Sequence, residues 1–127
     1  MIRIVHSEEV RELLHRGALR LSPPGAWLQG SQSADAAGEP ARPESSVAQQ
    51  WDCLGALRME AMAMCGGNFE GPARSLYDAT ARKLAEAMVE HLDWRRVSRH
   101  APSAVADWND AEGRTIDQVL NLFALAA

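Results

Sequence analysis

The chain has 127 residues, 46% of them hydrophobic and 24% charged, with a formal net charge of −4. That balance fits one soluble globular domain, and the acid excess argues against a general nucleic-acid binder. No apolar run approaches the roughly 18 residues of a membrane span, and Met1–His6 has no basic stretch leading into an apolar one, which reads against a secretory leader and for a cytoplasmic setting.

In chain order, Ile2, Ile4 and Val5 are β-prone. Ser7 is placed to cap a helix over 7–16, with Glu8 and Glu9 in the first turn, Val10, Leu13 and Leu14 as its apolar stripe, and Gly17 as its stop. Leu19–Ser22 reads as extended, and Pro23-Pro24-Gly25 ends it. A strand over 26–34 with the turn Asp35-Ala36-Ala37-Gly38 predicts a small hairpin near 26–41. Residues 31–46 read either as its tip or as a surface connection rich in Pro and Ser. A second helix, over 47–65, is capped by Ser45 or Ser46. It is apolar on more than one face and so central, with the small pair Gly55-Ala56 where something packs closely. The third helix, 72–92, opens on Pro72 and repeats Leu76, Thr80, Leu84, Met88 and Leu92 every fourth residue. Ser103–Trp108 reads as one short helical turn. Thr115 and Gln118 form a capping box for a last helix, 116–126.

Three groups of residues carry candidate chemistry. Cys53, with His91 or His100 as base and Asn109 or Asp110 as orienter, follows the order of a cysteine hydrolase or transferase, and Asp110 is a further candidate for the chemistry itself. The plainer reading of Cys53 is a buried thiol. A disulfide to Cys65 is excluded if both lie on one helix, where twelve residues span roughly 18 Å. Trp94, Arg95, Arg96 and Arg99 form the one basic cluster, suited to phosphate or a nucleic-acid base. The plainer reading is a cationic helix end that offsets the dipole. The chain holds 12 Arg and one Lys, Lys83, so most arginines read as coding bias. No metal is expected: His6, His15, His91 and His100 lack ligand spacing, and Asp107, Asn109, Asp110 and Glu112 fail the calcium-loop pattern.

Three separated motifs remain. They are Trp27-Leu28-Gln29-Gly30 with Asp35–Gly38, Trp51-Asp52-Cys53-Leu54-Gly55-Ala56-Leu57, and Trp108-Asn109-Asp110-Ala111-Glu112-Gly113-Arg114-Thr115. Together they resemble a small, functionally uncharacterised domain family of bacteria, notably actinobacteria, and of phages. Its members read W-x-x-G, W-C-x-x-G-A-L and W-N-D-x-x-G-R-T. The resemblance spans about residues 7–126 and implies no activity or cofactor. It departs at Asp52, where the family commonly has its cysteine, which turns Cys53 by about 100° on a helix.

The expectation is therefore a mainly α (α+β) single domain, 1–127, of about four helices with a small hairpin. Trp27, Trp51, Gly55, Trp108, Asn109, Asp110, Gly113, Arg114 and Thr115 are read as structural, with Trp108 and Asn109-Asp110 fixing the last helix against the second. The leading function is a non-enzymatic protein-binding domain, in the manner of a phage- or mobile-element-encoded modulator of host or defence machinery. It needs no cofactor, membrane or nucleic acid. The alternatives are a Cys53 enzyme and a phosphate or nucleic-acid binder through Arg95, Arg96 and Arg99.

Overall fold

A computed structural model describes residues 5–94 and 99–127, so Ile2, Ile4, Arg95 and Arg96 lie outside the described residues. Its first helix, α1, is Ser7–Leu21. The residue before it is His6, not Ser7, and the His6 N–H donates to the Glu9 carboxylate at 3.3 Å. The helix does not stop at Gly17, and Leu19–Leu21 form its last turn rather than an extended piece. Gly17 is an interior contact: a Cβ there would stand 2.9 Å from the Phe123 ring and 3.3 Å from Leu57. The glycine lets two neighbouring helices approach, and a helix tolerates it at about 1 kcal/mol.

Residues 22–52 fold back along the helices with very short strands. Strand β1 is Ser33–Ala34 and β2 is Gln50–Trp51, antiparallel, with Ser33 opposite Trp51 and Ala34 opposite Gln50. The Asp35–Gly38 turn forms: the Gly38 N–H donates to the Asp35 carbonyl at 3.0 Å, and the Asp35 side chain takes the Ala37 and Glu39 amides. The hairpin over 26–41 is limited to one antiparallel bridge, Ala34 to Pro40. The real partner strand is 50–51, from a segment assigned above to a helix. Residues 26–28 flank its other side, with Leu28 N–H to Trp51 O at 3.1 Å and Trp51 N–H to Ala26 O at 2.8 Å.

Helix α2 is Cys53–Met64 and starts six residues later than the apolar pattern suggests. Its cap is Asp52, whose side chain accepts from the Gly55 N–H at 2.7 Å, rather than Ser45 or Ser46. Apolar spacing through Val47 and Trp51 mimics a helix, but the backbone donors of Gln49, Trp51 and Asp52 are already taken by the Ala34, Ala26 and Gln32 carbonyls. Helix α3, Pro72–Leu92, and helix α5, Ile116–Ala126, fall where the pattern put them. The Thr115–Gln118 capping box is present in full. Helix α4, Ala101–Asn109, is more than a single turn and makes five helices among the described residues.

The core is one cluster. Leu13, Leu14, Leu57, Leu76, Leu84, Met88, Val105, Trp108, Leu122 and Phe123 are all at most 2% exposed. Helix α2 packs against α1, α3 and α4, which bears out its central place, while α5 packs on α1 and α3. Among the described residues no helix is long and apolar enough to cross a membrane.

Candidate functional site

The three tryptophan motifs, up to 82 residues apart in sequence, meet at one side chain. Asn109 is the last residue of α4 and is 0% exposed. Its Oδ1 accepts from Trp27 Nε1 at 2.8 Å and from the Cys53 N–H at 3.1 Å. Its Nδ2 donates to the Leu28 carbonyl at 3.1 Å and to Asp110 Oδ1 at 2.9 Å. An amide presents two acceptor lone pairs and two donors, so Asn109 is fully used. Asp110 also accepts from the Gly30 N–H at 2.9 Å, and Gln29 Nε2 donates to the Asn109 and Ala111 carbonyls, both at 2.9 Å. The 27–30 segment is thereby fastened to the end of α4 and to the first turn of α2.

The remaining motif residues shape this junction. Gly113 has φ +81°, which closes the turn after α4 and is costly for any side chain. Arg114 lies over the Trp108 ring at 3.9 Å, and its Nε donates to the Trp108 carbonyl at 2.9 Å. It also stands 5.4 Å from the Trp94 ring. A Cβ on Gly55 would overlap the Gln32 carbonyl oxygen, so only glycine lets the 32–34 segment cross α2 there. The close-packing expectation at Gly55 holds. The expectation that Asn109-Asp110 pins α5 to α2 is corrected: the bonds run to the 27–30 segment and to the N-terminus of α2 instead.

Asp52 is the residue that sequence reasoning passed over. It is 3% exposed. Burial pushes its carboxyl up to about 7; the Gly55 amide resists this, and the nearby Asp110 carboxylate adds to it. Its signal was D-x-x-G before an apolar run, a capping pattern overshadowed by the more regular spacing around it.

Cys53 occupies the first position of α2, not a site past its first turn. The helix dipole there favours a thiolate, but the residue is 0% exposed, and burial, then the Asp52 charge, drive the thiol well above its ordinary range. Asn109 holds its backbone amide, not its sulfur. His91 is exposed on α3, with Nε2 3.8 Å from Glu90. The structure thus brings Cys53 and Asn109 together and leaves His91 on the exposed surface of α3. Both cysteines are free thiols.

Of the basic cluster, Trp94 is half-buried against the core, while Arg99 is exposed and lines a trough between α3 and the start of α4. Sequence reading missed its companions, Arg74 and Arg82, because they come from another helix. A second surface joins Leu19, Pro23 and Trp51 with Arg16, Arg20 and Glu60. Among the described residues no three His, Cys, Asp or Glu side chains group to hold a metal.

These features define a helical domain whose three tryptophan motifs build its frame. A family model described as a family of unknown function, DUF6197, matches residues 6–127, and the chain belongs to that family. No curated protein and no solved structure matches it.

Proposed function

We propose that this is a non-enzymatic protein-binding domain that engages its partner through the Leu19–Trp51 surface. The observation that carries the reading is the composition of that surface. Leu19 is 58% exposed, beside Pro23 and the half-buried Trp51. The Arg20 guanidinium lies 4.6 Å over the Trp51 ring. Arg16 and Arg20 both bond Glu60, at 2.9 and 2.6 Å. Trp and Arg are the residues most often dominant in binding interfaces. Here both arginines are held by a shared carboxylate, so little of their side-chain entropy is lost on binding. Two guanidiniums on one carboxylate leave one positive charge, so the partner presents an apolar side chain next to an acidic one.

The use of Asn109, Gly113, Arg114 and Thr115 as framework supports a domain that presents a surface rather than a reaction centre. The resemblance of the three motifs to a bacterial and phage family supports a cytoplasmic modulator of host or defence machinery encoded by a phage or mobile element. The burial of Cys53 weakens the cysteine-enzyme alternative.

The test is paired capture from host lysate with the wild-type chain and Leu19→Asp, followed by titration of the captured protein in purified form. The variant is expected to bind about thirtyfold more weakly, about 2 kcal/mol, with an unchanged circular dichroism spectrum. Equal binding by both chains overturns the assignment.

A further inference from the structure

We propose that the trough between α3 and the start of α4 binds a nucleoside monophosphate, its phosphate held by Arg74, Arg82 and Arg99 and its base seated in an adjoining aromatic bay. This site shares no residue with the Leu19–Trp51 surface and goes beyond the protein-binding reading.

The phosphate end is a trough of about 470 Å³. Arg74, Asp78, Arg82 and Glu86 recur every fourth residue and so line one face of α3. Arg99 faces them from the chain entering α4. Arg74 is 3.6 Å from Asp78, a long contact between two exposed groups. Among the described residues, Arg82 and Arg99 have no ion-pair partner. Three guanidiniums against two carboxylates leave a positive trough on a chain whose net charge is −4. The planar guanidinium fork matches phosphate oxygens in pairs, and three such groups lining one trough favour a dianion over a single carboxylate.

The base end is a neighbouring bay of about 340 Å³, which shares Arg74, His100 and Pro102 with the lining of the trough. Its walls are Leu54, Phe69, Tyr77, Pro102 and Ala106. Phe69 meets Tyr77 edge to face, with ring centroids 5.0 Å apart. Arg58 and Arg74 lie 4.3 and 5.4 Å from the Phe69 ring, which fixes it in place. The Arg58 guanidinium over the Phe69 ring offers a flat face on which a base of any identity stacks. Gln32 stands at the rim, exposed, and its side-chain amide engages no other described residue. It offers both a donor and an acceptor to a base edge. The bay and the trough each fall within the size range of small-ligand sites. A planar ring and a phosphate joined by a sugar is the chemistry that fills both at once.

The full-length chain is titrated with AMP, adenosine, inorganic phosphate and phenyl phosphate by calorimetry and amide NMR. AMP is expected to bind at least about tenfold more tightly than any of the other three, which fill one end of the site or lack the sugar and base. It should shift the amide signals of Phe69, Tyr77 and Arg99. The double variant Arg82→Ala/Arg99→Ala removes two exposed side chains, so its melting temperature should stay that of the wild type while AMP binding falls at least about tenfold. AMP binding no tighter than inorganic phosphate, or unaltered in the double variant, overturns the proposal. Phenyl phosphate binding as tightly as AMP overturns its nucleoside part.

Discussion

Replacing Asn109 with alanine removes a side chain that ties all three tryptophan motifs together. Four hydrogen bonds are lost, to Trp27 Nε1, the Cys53 N–H, the Leu28 carbonyl and Asp110 Oδ1. Their costs differ by burial. The Cys53 amide is fully buried and left without a partner, at about 1–3 kcal/mol. The Trp27 indole and the Leu28 carbonyl are half-buried and partly regain water, at about 0.5–1.5 kcal/mol each. Asp110 is exposed and contributes little. The sum is about 4 kcal/mol. At about 2.1 cal/mol/K per residue, unfolding a chain of this length carries an entropy of about 0.27 kcal/mol/K, so the melting temperature should fall by about 15 °C. Differential scanning calorimetry measures this directly. The aspartate variant is a control: it keeps the two accepted bonds but sets a charge beside Asp110 and Asp52. Its deficit should therefore shrink at pH 4 relative to pH 8. A fall of less than about 4 °C for Asn109→Ala, equivalent to about 1 kcal/mol, would refute the view that this amide holds the junction together.

Other consequences can be measured on the same purified chain. Asp52 has a folded pKa of about 7 against an ordinary 3.8, so the folded state holds its proton more tightly. Its contribution is fully present below about pH 4 and is lost as the pH rises through 7, a change of about 4 kcal/mol, to order of magnitude. Asp52→Asn should abolish that component of the urea midpoint's pH dependence, and identical slopes for variant and wild type would exclude it. Gly55→Ala drives a methyl into the Gln32 carbonyl oxygen. Backbone cannot swing away as a side-chain tip does, so a loss of about 1–3 kcal/mol in chemical denaturation is expected; a stabilised variant would contradict the close crossing. Thiol labelling with an aromatic disulfide reagent should modify the half-buried Cys65 in the native chain and Cys53 only on unfolding. Native labelling of both at one rate would reopen the Cys53 enzyme.

The sequence alone determined those elements whose signals are local. Helices α3 and α5 follow from fourfold apolar spacing, a first-turn proline and a capping box, all of which act within one or two turns. The Asp35–Gly38 turn is local in the same sense, because its bonds close over four residues. Tertiary structure decided where the local signals were silent or misleading. Gly17 looks like a helix stop, yet the burial gained where Phe123 and Leu57 fill its space outweighs the modest cost of an interior glycine. Trp51 has helical spacing, but carbonyls from Ala26 and Gln32 claim the amides around it, and strand and cap win over propensity. The candidate sites divide along the same line. Asn109 and Arg114 stood out as residue types in a motif, but which groups Asn109 binds depends on segments 56 and 82 residues away. Arg82 could not be joined to Arg99 from the sequence, because only the packing of α4 on α3 sets the two guanidiniums along one trough.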